Sequence, residues 1–192
     1  MDVFESIDWL NNGKILIHPT EGVWGLGCDA FDEKAFKKIH FLKKRDSQKS
    51  FILLASSYDV MKKYIIKLTD DDISFLKKSW PGPVTLLIEF NNELPLHLKN
   101  HTGKIAIRVS NHLPLKSLFK GFNGLMVSTS ANISGEEAIN DPIKIINTFD
   151  DIDVAYYNES LGTNKKASTI IDLSSRKIIR KKNDKRFRTN IY

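Results

Sequence analysis

The chain has few of the features that crosslink a protein or anchor it in a membrane. It contains one cysteine, Cys28, so no internal disulfide can form, and we expect a cytoplasmic protein in a reducing compartment. No apolar run approaches the roughly 20 residues that a membrane span needs. The N-terminal segment MDVFESIDWL is acidic and lacks the basic and apolar stretches of a secretory signal.

Familiar catalytic and cofactor motifs are scarce as well. The phosphate-binding loop G-x-x-x-x-G-K-[ST] and the hydrolase motif G-x-S-x-G are both absent. No histidine pair has H-E-x-x-H spacing, so we expect no metal site built from protein ligands alone. Residues 25–30 fit the dinucleotide pattern G-x-G-x-x-[G/A] only weakly, because the preceding strand does not run directly into them. Cys28 within this glycine-rich stretch is either a nucleophile or, more commonly for a small thiol, a packing residue.

Positive charge is the feature that the composition does supply. The 192 residues carry a net charge of +6, which favours anionic partners such as nucleotides, nucleic acid or acidic metabolites. Segment 176–188, RKIIRKKNDKRFR, holds eight cations and one acid. It is either an RNA contact or a solvated end strand, with a loose tail at about 183–192. We expect one domain over residues 1–192.

Hydrophobic patterns predict an α/β domain. Apolar runs indicate strands at KILIHPT, FILLA, VTLLIEF, KIAIRVS, GLMVSTS, VAYYN, STIIDLS and KIIR. Helical patterns follow the capping residue Asp32, cover 57–66, 70–79 and LPLKSLF, and start at Asp141-Pro142. The glycine-rich segment EGVWGLGCDA predicts a loop. Helices separate the early strands but not the late ones, so we expect a mixed, twisted sheet.

Polar side chains collect where predicted strands end. Thr20 follows the first strand, and VSTSAN places Ser128, Ser130 and Asn132 at alternate positions, on one side of an extended chain. An ordinary Ser/Thr turn that ends a strand is the alternative. Arg108 adds a planar cation suited to carboxylate or phosphate.

The segment LKKRDSQK, residues 42–49, concentrates four cations in eight residues. They either complement the dipole at a helix C-terminus or bind an anion. Lys43, Arg45 and Lys49 favour one side of the chain. Together with the hydroxyl groups, they suit a site that positions reactants and neutralises charge, as in phosphoryl and nucleotidyl transfer.

Six blocks carry a family resemblance: HPTEGVWGLGCDA, LKKRDSQKSFILLA, WPGPVTLLIE, IAIRVS, VSTSANISG and ASTIIDL. In this order they resemble the YrdC/TsaC family of threonylcarbamoyl-AMP synthases, in its short single-domain form, from about residue 8 to residue 182. The resemblance implies a YrdC-like twisted open mixed sheet, flanked by helices, with a positively charged concave face. It also implies a nucleotidyltransferase that joins L-threonine, bicarbonate and ATP, releases pyrophosphate, and serves the threonylcarbamoyladenosine modification of tRNA.

The resemblance also implies roles for individual residues. Lys43 and Arg45 would be catalytic. ATP would be bound by Lys43, Arg45, Lys49, Ser130, Asn132 and Arg180. Threonine and bicarbonate would be bound by Thr20, Arg108, Ser128 and Ser168. Family members are thought to use Mg²⁺ with the ATP, and other proteins would then transfer the threonylcarbamoyl group to tRNA.

Three positions depart from the family pattern. Asp46 stands where relatives usually have proline, Gly22 replaces a second threonine, and NKKA precedes STIID in place of a proline-containing segment. An RNA-binding module is the alternative function, because a basic concave face also suits double-stranded RNA or tRNA. The convergent hydroxyl groups favour the synthase, since a phosphate-backbone binder does not need them.

Overall fold

One mixed sheet organises the computed structural model, which describes residues 1–163 and 168–180. Its strands are β1 (Ile15–His18), β2 (Gly25–Gly27), β3 (Ile52–Leu54), β4 (Val84–Glu89), β5 (Lys104–Arg108), β6 (Met126–Ser130), β7 (Val154–Tyr156), β8 (Thr169–Asp172) and β9 (Ile178–Arg180). Their order across the sheet is β7-β1-β2-β6-β3-β5-β4-β8-β9. The pairs β1/β7, β3/β5 and β4/β8 are parallel and the other pairs are antiparallel. The predicted mixed α/β fold is confirmed.

Side-chain caps begin several of the helices that flank this sheet. The helices are α1 (Val3–Asn11), α2 (Glu33–Leu42), α3 (Tyr58–Met61), α4 (Asp70–Ser79), α5 (Leu113–Gly121) and α6 (Pro142–Phe149). Asp32 accepts from the Ala35 amide, and Thr69 forms a capping box with Asp72. Helix α1 was not predicted.

The helix predicted over 57–66 is much shorter in the structure. It ends at Met61 because the chain turns back to the sheet, where the Ile66 amide donates to the Glu89 carbonyl and Ile65 bridges Phe90. Helix α4 occupies the predicted range 70–79.

The two faces of the sheet differ in character. One face is mainly apolar and packs Ile17, Leu53 and Ile107 into the main core. The opposite face carries an apolar cluster, which includes Leu16 and Met126, beneath α1 and α5. Strand side chains alternate between faces, so this second face also bears His18, Thr85, Arg108 and Ser128. We call it the polar face.

The predicted loop at EGVWGLGCDA is wrong in its centre, because Gly25–Gly27 forms β2 between β1 and β6. Apolar alternation cannot reveal a strand made of two glycines and one leucine. The glycines serve close packing: a Cβ on Gly25 would lie 2.4 Å from the His18 ring, and one on Gly27 would lie 2.3 Å from the Val127 carbonyl oxygen.

Two predictions fall outside the described residues. The segment NKKA (164–167) and the tail at about 183–192 are not described, and neither is most of the basic segment 176–188. Among the described residues, no helix is long and apolar enough to cross a membrane. The single-domain organisation and the cytoplasmic location stay predictions.

Candidate functional site

Lys43 is the most deeply buried cation of the LKKRDSQK segment. It is the C-cap of α2 and only 2% exposed. Its Nζ donates to the carbonyl oxygens of Ser130 and Asn132, both at 2.5 Å, so the end of α2 is joined to the end of β6. Burial, with a smaller effect of the Arg45 charge, lowers the pKa of Lys43 to about 7. An ammonium group has three N–H donors, which leaves one for an anion.

Arg45 is held by its own loop. Its Nη2 donates to the Ser50 carbonyl at 2.9 Å and its Nε to the Lys49 carbonyl at 3.4 Å, while the guanidinium lies 5.1 Å from the Phe51 ring centroid. Burial lowers the pKa of Arg45. Asp46 caps the same loop through its Oδ1, which accepts from the Gln48 amide at 2.9 Å. These contacts fix Arg45 beside Lys43. Asp46 stabilises the turn at the position where relatives usually have proline.

The VSTSAN segment is extended only up to Ser130. The Asn132 amide donates back to the Ser130 carbonyl, so the chain turns and the predicted alternation of Ser128, Ser130 and Asn132 on one side is wrong at its last member. The Asn132 side-chain amide donates to the Ile133 and Glu136 carbonyls, which shapes the turn. Its Oδ1 is buried without a hydrogen-bond partner. This turn presents the two carbonyl groups that hold Lys43.

A second charged group lies around Arg108 on the polar face. Arg108 is 8% exposed, and its Nη2 lies 3.0 Å from Oε2 of Glu21, a contact with ion-pair distance but without hydrogen-bond geometry. Oε1 of Glu21 accepts from the Ser110 hydroxyl at 2.6 Å. Burial lowers the pKa of Arg108, and Glu21 only partly offsets this. The Nε of Arg108 is buried and has no hydrogen-bond partner among the described residues.

Thr20 builds the loop that carries Glu21. Its hydroxyl donates to the Val23 carbonyl at 2.6 Å and lies 3.3 to 3.4 Å from the amides of Val23 and Gly22. The Gly162 amide donates to the Thr20 carbonyl, and a Cβ on Gly162 would lie 2.6 Å from the Glu21 carbonyl oxygen. The hydroxyl of Thr20 therefore orders the turn, and a direct contact with substrate stays a prediction.

His18 lies near this charged group and is fully buried. Its Nδ1 is 3.4 Å from the Pro19 carbonyl, so a neutral ring with the proton on Nδ1 donates there and leaves Nε2 as an acceptor without a partner. Burial is the main reason that the pKa of His18 falls to about 4, and the charges of Arg108 and Glu21 act on it in opposite directions. The ring is neutral at physiological pH.

A third polar group links β4, β8 and β9. The hydroxyl groups of Thr85 and Ser168 are hydrogen-bonded at 2.7 Å. Arg180 donates through Nη2 to the Ser168 carbonyl at 3.0 Å and to its hydroxyl at 3.4 Å. Ser128 lies on the same face, paired with Ile52 of the neighbouring strand. The structure thus brings Arg180 and Ser168 together, as it does Lys43, Ser130 and Asn132.

Four residues of these groups were absent from the predicted site: His18, Glu21, Ser110 and Thr85. Thr85 had a sequence signal, since it is the one hydroxyl group in the otherwise aliphatic run VTLLI. Ser110 is the last residue of the predicted strand IAIRVS, but no sequence pattern indicates a contact between Ser110 and Glu21. Cys28 is buried in the main core, and burial raises the pKa of its thiol. Of the two predicted roles, packing therefore fits Cys28 and the nucleophile does not.

Acidic residues do not gather into a metal centre in the part of the chain that the structure describes. No group of three or more His, Cys, Asp or Glu side chains there could hold a metal ion. The buried Asp172 is instead paired with Lys104 at 2.6 Å and accepts from Ser174 and Ser175. Burial raises the pKa of Asp172, but these hydrogen bonds together lower it well below its usual range.

An open mixed sheet that is flanked by helices and carries cations and hydroxyl groups on one face places the protein among the mixed α/β domains. The chain belongs to the Sua5/YciO/YrdC family, because the family model described as telomere recombination matches residues 8–182. This confirms the resemblance noted in the sequence.

Solved structures agree with this family. P. abyssi Sua5 complexed with L-threonine is 25% identical with a TM-score of 0.80, and the match covers 90% of this chain and 51% of that one. The chain therefore spans about half the length of that Sua5. A solution structure from Methanobacterium thermoautotrophicum is 27% identical with a TM-score of 0.71, covering 88% and 79% of the two chains. E. coli YciO, 21% identical with a TM-score of 0.81 over 98% and 92%, supports the fold alone.

Proposed function

We propose that this protein is an L-threonylcarbamoyladenylate synthase. It joins L-threonine, bicarbonate and ATP into threonylcarbamoyl-AMP and releases pyrophosphate, as a nucleotidyltransferase. The product supplies the threonylcarbamoyl group for adenosine 37 of tRNAs that read codons starting with A, through separate transfer proteins. Membership of the Sua5/YciO/YrdC family and the likeness to a Sua5 complexed with L-threonine support this proposal.

The observation that carries the proposal is the fixed pair of cations at the end of β6. Lys43 and Arg45 are both held by backbone carbonyl groups, and Lys43 has no ion-pair partner among the described residues. A preorganised cation such as Lys43 suits a ligand that brings its own negative charge, although Asp46 partly offsets the charge of Arg45. In this reaction the carbamate of threonine attacks the α-phosphorus of ATP, and both reactants are anionic. Lys43 and Arg45 would reduce their mutual repulsion.

The other residues of the predicted site would contact the nucleotide or the two smaller substrates, according to where each residue lies. Lys49, Ser130, Asn132 and Arg180 would bind the nucleotide. Arg108, Ser128 and Ser168 would bind threonine and bicarbonate, with the Thr20 turn ordering that end of the site. Mg²⁺ would arrive on the ATP phosphates, which supply the oxygen ligands that this ion prefers, and would neutralise charge there. Asn132 Oδ1, an unpartnered buried oxygen, is of the ligand type that fits such a hydrated ion.

The test is pyrophosphate release by the purified protein with ATP, Mg²⁺ and bicarbonate, with and without L-threonine. We expect release that requires L-threonine and falls about 100-fold or more in Lys43→Ala and in Arg45→Ala, the scale of one lost electrostatic donor. Lys37→Ala, on the exposed side of α2, is the matched control and should retain full activity. Near-normal turnover in both site variants would refute the roles of the two cations. Absence of release, with salt-sensitive binding of double-stranded RNA, would favour the RNA-binding module.

A further inference from the structure

A cavity of about 200 Å³ lies beside the LKKRDSQK segment, and the proposed function makes no use of it. Its lining comes from α2, from residues 47–53 and from residues 97–105. Phe51, Leu53 and Ile105 in this lining belong to the main core, so the cavity lies on the side of the sheet away from the polar face. The described lining contains none of the residues predicted to bind ATP, threonine or bicarbonate. The cavity is therefore a candidate site for a different ligand.

Three aromatic rings that contact one another line this cavity. The centroid of the Phe36 ring lies 5.3 Å from that of Phe51 and 5.2 Å from that of His97, both in edge-to-face arrangements. The His97 ring is fixed, because its Nε2 lies 2.8 Å from the Ala30 carbonyl and must donate there, since a carbonyl oxygen only accepts. Aromatic rings favour such packing against a further ring, so the lining suits a ligand with a planar aromatic body.

The charged part of the lining is positive. The described lining residues include Lys99 but no aspartate or glutamate. The Nζ of Lys99 donates to the Asn92 carbonyl at 3.1 Å, and an ammonium group has two further N–H donors. Two carboxylates outside the lining have partners of their own: Glu33 of α2 is paired with Lys37 at 2.6 Å, and Asp46 accepts from a backbone amide of its loop. An anionic group on the ligand is therefore favoured over a cationic one.

A hydrogen-bonded link fixes the two main parts of the lining relative to each other. The side-chain amide of Asn100 donates to the Ser50 hydroxyl at 3.0 Å and to the Lys104 carbonyl at 2.8 Å. The hydroxyl of Ser50 accepts in this contact, so its own O–H can donate to a ligand. The cavity is thus shaped before a ligand binds, which lowers the entropy cost of binding.

The size of the cavity limits the ligand to a small molecule. Its volume of about 200 Å³ is below the range of roughly 300 to 1,000 Å³ that is usual for drug-sized ligands. A single ring with one charged substituent is compatible with this volume. Together with the aromatic rings and the Lys99 ammonium, the size points to a one-ring aromatic carboxylate.

Two residues of the lining also hold Arg45. The Nη2 of Arg45 donates to the Ser50 carbonyl at 2.9 Å, and its guanidinium lies 5.1 Å from the Phe51 ring centroid. A ligand that packs against Phe51 would hold this support in place. Arg45 would then lose less freedom when it binds an anion, so the two sites should favour each other's occupation.

We propose that this cavity is a second ligand-binding site, for a small aromatic carboxylate, and that its occupant strengthens the binding of phosphate anions by Arg45. The second site does not depend on the proposed function. The coupling rests on that function, through the phosphate binding assigned to Arg45.

NMR titration of ¹⁵N-labelled protein with benzoate tests the second site. We expect saturable shifts of the amide signals of residues 47–53 and 97–101. Benzamide, a neutral molecule of the same shape, and cyclohexanecarboxylate, which keeps the charge but lacks the aromatic ring, are titrated in parallel. Benzoate should bind about tenfold more tightly than benzamide, as for one charge-assisted hydrogen bond, and severalfold more tightly than cyclohexanecarboxylate.

A pair of lysine variants tests the origin of this preference. Lys99→Met should weaken benzoate by about tenfold and leave benzamide unchanged, because it removes only the charge. Lys77→Met, an exposed lysine on α4 that does not line the cavity, is the matched control and should bind both molecules as wild type does.

Three results would overturn the second site, and none of them requires a variant. They are the absence of saturable shifts with benzoate, equal affinity of wild type for benzoate and benzamide, and displacement of benzoate by ATP in direct competition. Displacement would show that the cavity is part of the nucleotide site.

Calorimetry of pyrophosphate binding, with and without saturating benzoate, tests the coupling. We expect benzoate to tighten pyrophosphate binding by about fivefold, and saturating pyrophosphate to tighten benzoate by the same factor. Unchanged or weaker pyrophosphate binding would refute the coupling and leave the second site standing. If pyrophosphate does not bind at all, the phosphate role of Arg45 fails and the coupling fails with it, while the benzoate titration still decides the second site.

Discussion

Two nearly buried ion pairs lie on the polar face, and they differ in how completely their hydrogen bonds are made. Asp172 accepts from Lys104, from both the Ser174 and Ser175 hydroxyl groups and from the Ser175 amide. Glu21 and Arg108, in contrast, each keep an atom without a partner. Removing one partner of a fully bonded pair leaves several buried groups unpaired and strongly destabilises a fold, whereas a poorly bonded pair contributes less to stability.

The largest expected effect comes from breaking the complete pair. Asp172→Ala removes the shared acceptor of the Ser174 and Ser175 hydroxyl groups and leaves Lys104 with only the Ser174 hydroxyl at 3.2 Å and Glu89 at 4.0 Å. We expect the free energy of unfolding to fall by about 4 kcal/mol, as for other buried pairs that lose one partner. Urea denaturation at pH 7 measures this. A loss as small as that of an exposed carboxylate variant such as Glu93→Ala would show that the pair is not structural.

Acid should destabilise the region of the incomplete pair through His18. Its folded pKa of about 4 lies below the usual value of 6.5, so the unfolded chain binds the proton more readily between these values. Stability is therefore retained above about pH 6.5 and declines by about 3 kcal/mol as the pH falls to about 4.

His18→Asn should remove most of this decline, as followed by urea denaturation from pH 7 to pH 4. The pKa of His40 is also lowered by burial, so His40→Asn is the control that measures the remaining slope. An unchanged slope in His18→Asn would show that the His18 ring is already protonated in the folded protein.

Lys43 differs from both ion pairs, because it has hydrogen bonds but no carboxylate partner among the described residues. Its pKa of about 7 means that fewer molecules carry the ammonium as the pH rises from 6 to 8. We expect the affinity for pyrophosphate to fall by up to about tenfold per pH unit above 7, with proton uptake on binding. Calorimetry in buffers of different ionisation enthalpy measures both quantities. Lys43→Met should abolish the proton uptake, and uptake that persists would assign it to another group.

The smallest expected change in stability comes from replacing the incomplete pair as a unit. The double variant Arg108→Met, Glu21→Gln removes two poorly satisfied charges together, and its free energy of unfolding should lie within about 1 kcal/mol of wild type. Binding of L-threonine should nevertheless be lost. Thermal unfolding with and without L-threonine measures both, and a loss of several kcal/mol would place this pair in the same structural role as Lys104 and Asp172.

Much of the fold could be predicted because apolar runs and helix caps are local signals. Asp32, Thr69 and the Asp141-Pro142 pair mark the starts of helices that the structure contains. Strand β2 was missed because its pattern depends on a tertiary contact, the approach of the His18 ring, which glycine alone permits. Helix α3 was overextended because pairing with β4 overrides the helical pattern beyond Met61.

The site was predicted in its residue types more than in its contacts. Lys43, Ser130 and Asn132 were grouped by family resemblance, but the use of the two backbone carbonyls to hold Lys43 is not encoded in side-chain types. The pairing of Glu21 with Arg108 joins residues far apart in the chain and depends on how the loop after β1 folds over the sheet. Their roles with substrate stay predictions.

Strand β6 has a consequence for how the molecule folds. It lies in the second half of the chain but is bonded to β2 on one side and to β3 on the other, and both of these strands come from the first half. Such non-local pairing forms slowly, because the entropy cost of loop closure comes before the contacts that stabilise the pairing. The carbonyl groups that hold Lys43 lie at and just after the end of this strand, so Lys43 gains its two hydrogen bonds only after β6 has reached its place beside α2. Recovery of pyrophosphate binding after dilution from denaturant would therefore report the placement of β6.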